Sequence, residues 1–474
     1  MPRMGVALPD FILRKGFASN NLQYFLTLSE MIEKRATVTG WGLYPSAENT
    51  VISGKDLEQD LANYSDVTPR GLGRSYADQA MNGRGYVVPY TDRKRFLAFD
   101  EKSGHLECEA GLSLFDIIQT LGPRGFFPMI TPGTKFVTVG GAIANDVHGK
   151  AHHIDGSFKN CVDSFDILLA NGKVVTASRK KHSDLFHANF GGLGLLGLIL
   201  RARIRLRKIE TTYFNQQSFS ARNLEEMLDL IDEKDRQFPY SVAWVNPLAR
   251  GKTLGKGVLT AGDHALLEDL PAKLRKEPLQ VKGMPGLNVP FYMPGFALNG
   301  MTLRILNGVI KYVQSHAGRF SHYDSFFYPL DAINNWNRGY GKRGFTQYQF
   351  VVPVEGARQS IRRILEEIGT SGCKPFLNVL KKFGKGTNYL SFPAPGYTFA
   401  IDFPISRKLF PFLKKLDALV LDAGGRIYAG KDATLDAQSF ASMYSELEAW
   451  KKVKRKYDPQ NMYQSDIGRR LGLV

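Results

Sequence analysis

The sequence predicts a mixed α/β or α+β protein in two parts, and three observations predict it. Its 474 residues exceed what one small core needs and suit two domains. From 66 to 206, short apolar runs broken by glycine and proline read as strands, with a helix-patterned segment between them. After 210 the texture shifts to amphipathic helices alternating with period-two strands. That pattern predicts an antiparallel sheet with helices on one face.

In the first part, "GYVVPY" (85–90), "HLECEAGLSL" (105–114), "FDILLANGKVVTA" (165–177) and "LILRARIRL" (198–206) read as strands, because β-branched and aromatic residues cluster between turn formers. "SLFDIIQTLGPRG" (113–125) has helical spacing, with Ser113 as the expected N-cap and Gly122 as the expected stop. In the second part, "NLEEMLDLIDEKDRQ" (223–237), "GARQSIRRILEEIGTSG" (356–372) and "RKLFPFLKKLDALVLDAGG" (407–425) read as helices. "YSVAWVNP" (240–247), "GFTQYQFVVPV" (344–354) and "YTFAIDFPI" (397–405) read as strands, and the C-terminus as helical. The expected division is an extension at 1–24, a first domain at 25–210, a second at 211–425, and a return to the first over 426–474.

A hydrophobic content of 43 % and a charged content of 23 % are ordinary for a globular chain. A net charge of +17 favours anionic partners: nucleic acid, phosphorylated small molecules or acidic lipid. Nucleic acid is not expected, because the arginines are scattered and no recognition motif is present. Cys108, Cys161 and Cys373 are odd in number and form no CxxC, so a reducing compartment is expected rather than a disulfide scaffold or zinc ribbon. Residues 1–30 lack an apolar core and cleavage site, so no secretory leader is expected, and "GGLGLLGLIL" (191–200) is too short to span a bilayer. The stretch 286–313 mixes apolar and basic residues; it reads either as a lipid-surface segment or as a flap on its own domain.

Two glycine clusters carry the functional signal. "RGLGRSYAD" (70–78) places two glycines among two arginines, which fits a phosphate loop or a solvated basic turn. "PGTKFVTVGGAIANDVHGKAHHIDGSF" (132–158) adds the pair Gly140–Gly141 and then His148, Gly149 and Lys150. Two such loops together suit a pyrophosphate held by backbone amides, with Gly71 and Gly73 supplying the first turn. Gly192, Gly194 and Gly197 match GxGxxG formally. A helix precedes them and a strand follows, the inverse of a dinucleotide Rossmann order, so that reading is rejected. His148, His152 and His153 are not expected to bind metal, because glycines break their spacing and no carboxylate cluster accompanies them. Taken alone, Lys431 beside Asp432 reads as a surface pair. Gln347 and Gln349 share a strand face that is either functional or solvated, and Trp244 is either core or a stacking surface.

Taken together, "RGLGRSYAD", "PGTKFVTVGGAIANDVHGK", "LFHANFGGLGLLGLI" and "RIYAGKD" resemble the flavin oxidoreductases of the vanillyl-alcohol oxidase type, with a PCMH-type FAD-binding domain. "YSVAWVN", "GFTQYQFVVP", "FLNVLKKFG", "LSFPAPGYTFAIDFPI" and "SDIGRRLGL" are similar, more narrowly, to the oxidase subunits of decaprenylphosphoryl-β-D-ribose 2-epimerase, over nearly all the chain after about residue 25. The resemblance implies an α+β fold: a two-subdomain FAD-binding domain plus an antiparallel-sheet substrate domain with helices on one face. It implies FAD contacts from Arg70, Gly71, Leu72, Gly73, Arg74, Ser75 and Tyr76. A second set is Pro132, Gly133, Thr134, Val137, Gly140, Gly141, Ala144, Asn145, His148 and Gly149, joined by Gly197, Ile199 and Tyr428. Among these, backbone contacts to the phosphates and flavin are implied for Gly133, Thr134, Gly140 and Gly141. Many relatives carry a flavin-bonding histidine where Arg74 stands, so dissociable FAD is implied.

The implied reaction removes hydride from the 2-hydroxyl carbon of a polyprenyl-phosphoryl pentose to flavin N5, the first half of a 2-epimerisation in cell-envelope polysaccharide synthesis. Lys431 is the first candidate for the group at the hydroxyl and His148 the second, with Tyr76 beside the ring. Lys150, Trp244, Gln347, Gln349, Val379 and Lys381 are implied in the sugar-phosphate pocket. No metal is implied. A separate NADH-dependent short-chain keto-reductase is the expected partner, and the expected location is cytoplasmic, with peripheral attachment to the inner membrane left open. The competing reading is an FAD-dependent oxidase of a soluble sugar or alditol; a phosphate-binding lysine in "FLNVLKKFG" argues against it. Better-known actinobacterial members carry cysteine where Ala400 and Asn145 stand, which alters the pocket wall.

Overall fold

The computed structural model describes residues 31–284, 286–294 and 300–474; the extension expected at 1–24 lies outside them. β1 (Ile32–Thr39), β2 (Ser46–Ser53), β3 (Val67–Arg70) and β4 (Tyr86–Pro89) form a sheet in the order β1-β2-β4-β3. β1 and β2 pair antiparallel, whereas β4 pairs parallel with both β2 and β3. β3 ends at Arg70, so the run 71–76 leaves the carboxyl end of a parallel strand. In open sheets that edge is where ligands are met.

β5 (Phe96–Asp100), β6 (His105–Glu109), β7 (Phe126–Pro128), β8 (Val162–Leu168), β9 (Val174–Ser178) and β10 (Leu198–Lys208) form a second sheet, antiparallel throughout. β10 shows why its sequence is a strand: Ala202, Ile204 and Leu206 are buried while Arg201, Arg203 and Arg205 alternate outward. The helix Leu114–Leu121 starts as its sequence dictates, with Ser113 and Asp116 closing a capping box. Its end differs from the sequence expectation. Gly122 keeps right-handed dihedrals and opens a 3₁₀ turn, and Gly125, at φ 80°, supplies the left-handed stop.

The remaining strands are β11 (Tyr213–Ala221), β12 (Tyr240–Val245), β13 (Gly257–His264), β14 (Leu287–Asn288), β15 (Phe320–His322), β16 (Ile333–Asn334), β17 (Phe345–Pro353), β18 (Asn378–Phe383), β19 (Gly396–Pro404) and β20 (Arg426–Ile427). All but β14 and β16 form one eight-stranded sheet, in the order β15-β11-β13-β12-β18-β19-β17-β20. Its pairs are antiparallel. The helices Leu224–Lys234, Ala357–Thr370 and Leu409–Asp422 cover one face. There Tyr348, Phe350, Val352, Phe399 and Ile401 share one apolar cluster with Leu228, Ile231, Ile361, Ile364, Leu413 and Leu416. Period-two alternation sends the intervening residues, Gln347 and Gln349 among them, to the opposite face.

The C-terminal segment sits against the first two sheets. Tyr463 bridges Val67, and buried Lys454 donates to the carbonyls of Leu195 and Tyr463 at 2.7 Å each and to Asp458. Cys108, Cys161 and Cys373 are free thiols. Among the described residues no helix is long and apolar enough to cross a membrane.

Candidate functional site

A cavity of about 990 Å³ opens where the first two sheets meet the face of the large one opposite those three helices. Every residue that the sequence and the resemblance single out for FAD or substrate lies on its wall, from Arg70–Tyr76 through Pro132–Thr134, Val137, Gly140–Gly141, Ala144–Asn145 and His148–Lys150 to Gly197, Ile199, Trp244, Gln347, Gln349, Val379, Lys381, Tyr428 and Lys431.

The two glycine loops touch. A Cβ on Gly71 would lie 2.4 Å from Thr138 Oγ1, so only glycine lets the first loop approach the second. Gly73 sits at φ +65°, and the Arg70 guanidinium fills the space behind it while donating to the carbonyls of Ala80 and Thr39, both at 2.8 Å. Arg70 is therefore spent on shaping the turn. Arg74 lies over the Trp41 ring at 3.9 Å. Thr134 Oγ1 and the Lys135 amide both donate to Asp331, at 3.1 and 2.9 Å, which fixes the start of the second loop.

Within the described residues, the amides of Gly71 to Tyr76, and those of Gly133 and Thr134, donate to no protein acceptor. Free amides in two adjoining loops are what an anion nest requires. Gly140 and Gly141 differ from what the resemblance implies. Gly140 N donates to Ala110 O at 2.8 Å and Gly141 N to the capping Thr138 Oγ1 at 3.1 Å, so neither amide is left for a phosphate. Their contribution is the absence of a side chain: a Cβ would meet Ala110 at 3.1 Å or Thr138 at 3.0 Å.

Sheet register builds the opposite wall. Trp244 lies beside Val379, Val379 beside Ala400, and Ala400 beside Gln349, one row across β12, β18, β19 and β17. Gln349 Nε2 donates to Thr398 Oγ1 at 2.9 Å and reaches His148 Nε2 at 3.1 Å. That bond leaves the His148 proton on Nδ1. His148 lies among Phe383, Phe392 and Tyr428, and Tyr428 OH donates to Asn145 O at 2.8 Å. Burial, then Lys381, Lys431 and His152, hold His148 well below the usual imidazole range, so it is neutral. Burial raises the Tyr76 and Tyr428 phenols, which stay protonated.

Lys431 Nζ donates to Gln347 Oε1 and lies 5.5 Å from the Tyr76 ring centroid. Gln347 Nε2 in turn donates to Asp402 Oδ1 at 2.5 Å, directly across the β17–β19 ladder, while Tyr340 OH donates to Asp402 Oδ2 at 3.0 Å. Asp402 is missed by a sequence reading. Its signal was available: an acid at an inward position of an otherwise apolar strand. Burial raises Asp402 to about 6 against the pull of Gln347, Tyr340 and Lys431. Burial lowers Lys431 to about 8, opposed by Asp402. Lys150 is lowered to about 7 by burial, and Lys381 to about 7 by burial together with Lys431 and Lys150. A bound anion would stabilise these buried ammonium groups, because its attraction offsets both the cost of burial and their mutual repulsion. Lys150 also donates to Phe326 O, with its ammonium 4.4 Å from the Phe326 ring.

Four buried polar atoms on this wall lack partners within the described residues: Asn145 Oδ1, His148 Nδ1, Trp244 Nε1 and Gln349 Oε1. Orphaned atoms beside a free amide nest fit a large polar cofactor and a substrate. Among the described residues no group of three or more His, Cys, Asp or Glu side chains could hold a metal.

Residues 61–178 match the family model of the FAD binding domain, and residues 345–471 that of D-arabinono-1,4-lactone oxidase. The chain is 38 % identical over 448 residues to decaprenylphosphoryl-β-D-ribose oxidase of Mycolicibacterium smegmatis, covering 92 % of this chain and 97 % of that protein. This chain belongs to the decaprenylphosphoryl-β-D-ribose oxidase family. It is an FAD-dependent oxidoreductase acting on a CH–OH group, with the α+β fold of vanillyl-alcohol oxidase type flavoproteins. An uncharacterised Streptomyces coelicolor protein from the mprA 5′ region is 32 % identical over 76 % of this chain and all of its own length. Cytokinin dehydrogenase 5 of Oryza sativa is 32 % identical over 38 % of this chain and 36 % of its own.

Proposed function

We propose that this family member oxidises the 2-hydroxyl of a polyprenyl-phosphoryl pentose, decaprenylphosphoryl-β-D-ribose or a close analogue, to the 2-keto sugar. The step is the first half of a 2-epimerisation in cell-envelope polysaccharide synthesis. A separate NADH-dependent keto-reductase completes it, and the enzyme works at the cytoplasmic surface of the inner membrane. The observation that carries this reading is the cluster of Lys150, Lys381 and Lys431 on one cavity wall beside the amide nest. A soluble polyol gives no reason to bury Lys150 and Lys381 beside the base; a sugar phosphate does.

FAD bound at the nest supplies the two-electron acceptor for the substrate hydride. It is held non-covalently in this reading, because Arg74 stands where many relatives carry the flavin-bonding histidine and a guanidinium forms no such bond. Lys150 and Lys381 fix the phosphate. Lys431 takes the hydroxyl proton through the lone pair it leaves free while donating to Gln347. His148 is a poorer base, since its Nε2 already accepts from Gln349 and its basicity is held down. Its Nδ1–H is a donor for a sugar oxygen. Anaerobic mixing of the FAD-loaded protein with polyprenyl-phosphoryl ribose tests the reading: flavin absorbance should bleach. Bleaching by soluble alditols alone would replace it with the polyol reading.

The same groups set the pH response. Lys431 acts unprotonated, so kcat/KM climbs as pH rises through about 8. Lys150 and Lys381 hold the phosphate as cations, so the contribution of each is lost as pH rises through about 7 in the free enzyme. The expected profile is a bell with its maximum between these values. Lys381→Met should raise KM by about ten- to a hundredfold, the worth of one charged hydrogen bond.

A further inference from the structure

We infer that the helix Gly300–Ser315, at the mouth of the cavity, docks on a bilayer surface carrying anionic lipid. The helix packs on β11 and β13, with Asn307 buried beneath it. The face it presents at the cavity mouth is apolar and open: Ile305 is 63 % exposed, Val309 53 %, Tyr312 65 % and Val313 61 %. That spacing puts all four on one helical stripe. Exposed apolar surface of this kind marks an interaction site.

The charge says what covers it. From 278 to 323 the chain contains no aspartate or glutamate, while Lys282, Arg304, Lys311 and Arg319 are all exposed. Leu287 and Phe291, also exposed, fall in the same acid-free stretch. Exposed apolar residues interspersed along the chain with cations and no acid match a leaflet of anionic headgroups over acyl chain, to which each basic residue adds attraction. An acid-free cationic rim has no preference for a neutral or basic protein surface. With 16 residues, and no membrane-crossing helix among the described residues, the segment lies on a bilayer rather than through it.

Position gives the docking a purpose. Val309, Ile310, Tyr312, Val313 and His316 also line the cavity. A substrate whose polyprenyl tail stays in the leaflet would pass its sugar phosphate up past this helix to Lys150 and Lys381. The inference rests on the lipid-linked substrate proposed above, but its readout is separate from that reading.

The test is sedimentation of the full-length, FAD-loaded protein with phosphatidylglycerol–phosphatidylcholine vesicles and with pure phosphatidylcholine vesicles. Binding is expected on the first, weakening as salt rises, and little on the second. The double variant Ile305→Glu, Lys311→Glu should lose about tenfold or more of that binding. Neither residue lines the cavity, so flavin reduction by detergent-dispersed substrate should stay within about twofold of wild type. The charge-matched control Lys94→Glu, Leu97→Glu, on the second sheet and its approach, should retain vesicle binding. No binding of the wild type, equal binding to both vesicle types, unchanged binding of the helix variant or equal loss in the control would each overturn the inference. So would sedimentation that needs an added protein. Vesicle binding without flavin bleaching would instead count against the lipid-linked substrate and leave the docking surface standing.

Discussion

Lys431→Ala lowers the rate of flavin reduction by about 10²–10⁴-fold, the usual worth of a positioned base, while the purified variant still carries FAD. The two halves of this result come from different parts of the cavity. The amides of Gly71 to Tyr76, Gly133 and Thr134 do not involve Lys431, so the cofactor site survives its removal. The proposed base does not survive. Lys431 is the amine that burial brings to about 8 and that Gln347 orients, with Asp402 holding Gln347 from across the ladder. Two measurements decide it: the flavin spectrum of the variant and its anaerobic reduction by polyprenyl-phosphoryl pentose. The acid limb of the pH profile should flatten, because the group that must shed a proton is gone. If Lys431→Ala keeps its reduction rate and His148→Gln loses it, the base is His148.

The glycine loops were legible because backbone freedom beside positive charge leaves a local signature in the sequence. The long strands β10, β17 and β19 were legible from alternation or apolar density. β1 and β2 were not: "IEKRATVT" and "SAENTVIS" bury only one and two residues, so few apolar residues mark them. β11, "YFNQQSFSA", carries glutamine, asparagine and serine, and is a strand because β13 and β15 flank it. How Gly140 and Gly141 work depends on Ala110 and Thr138, which no local pattern predicts. Asp402 acquires its place only through the β17–β19 register. Local conformation is written in short windows of sequence; partners are written in pairings the windows do not contain.

Arg470 is such a partner, and Arg470→Met is expected to cost about 3–5 kcal/mol of stability, the penalty for stranding buried charge. Its guanidinium donates to Asp78 from Nη2 at 2.7 Å and Nε at 2.9 Å, and to Asp432 Oδ2 from Nη1 at 2.7 Å. The side chain of Asp78 is 7 % exposed and that of Asp432 2 % exposed, so neither can turn to water. Asp78 ends the first glycine loop and Asp432 follows Lys431, so a single arginine ties that loop to the Lys431 segment. Gln79 reinforces the tie, donating to the carbonyls of Ala429 at 2.6 Å and Asp432 at 3.0 Å. Arg470→Lys cannot reproduce the fork and should recover only part of the loss. Thermal unfolding should show the drop, and FAD titration should show weakened affinity, since the nest loses its anchor. If the cost is unpaired charge, adding Asp78→Asn and Asp432→Asn to Arg470→Met should restore stability toward wild type. If the triple variant is no more stable than Arg470→Met, the loss lies in packing and the electrostatic account of this clamp fails.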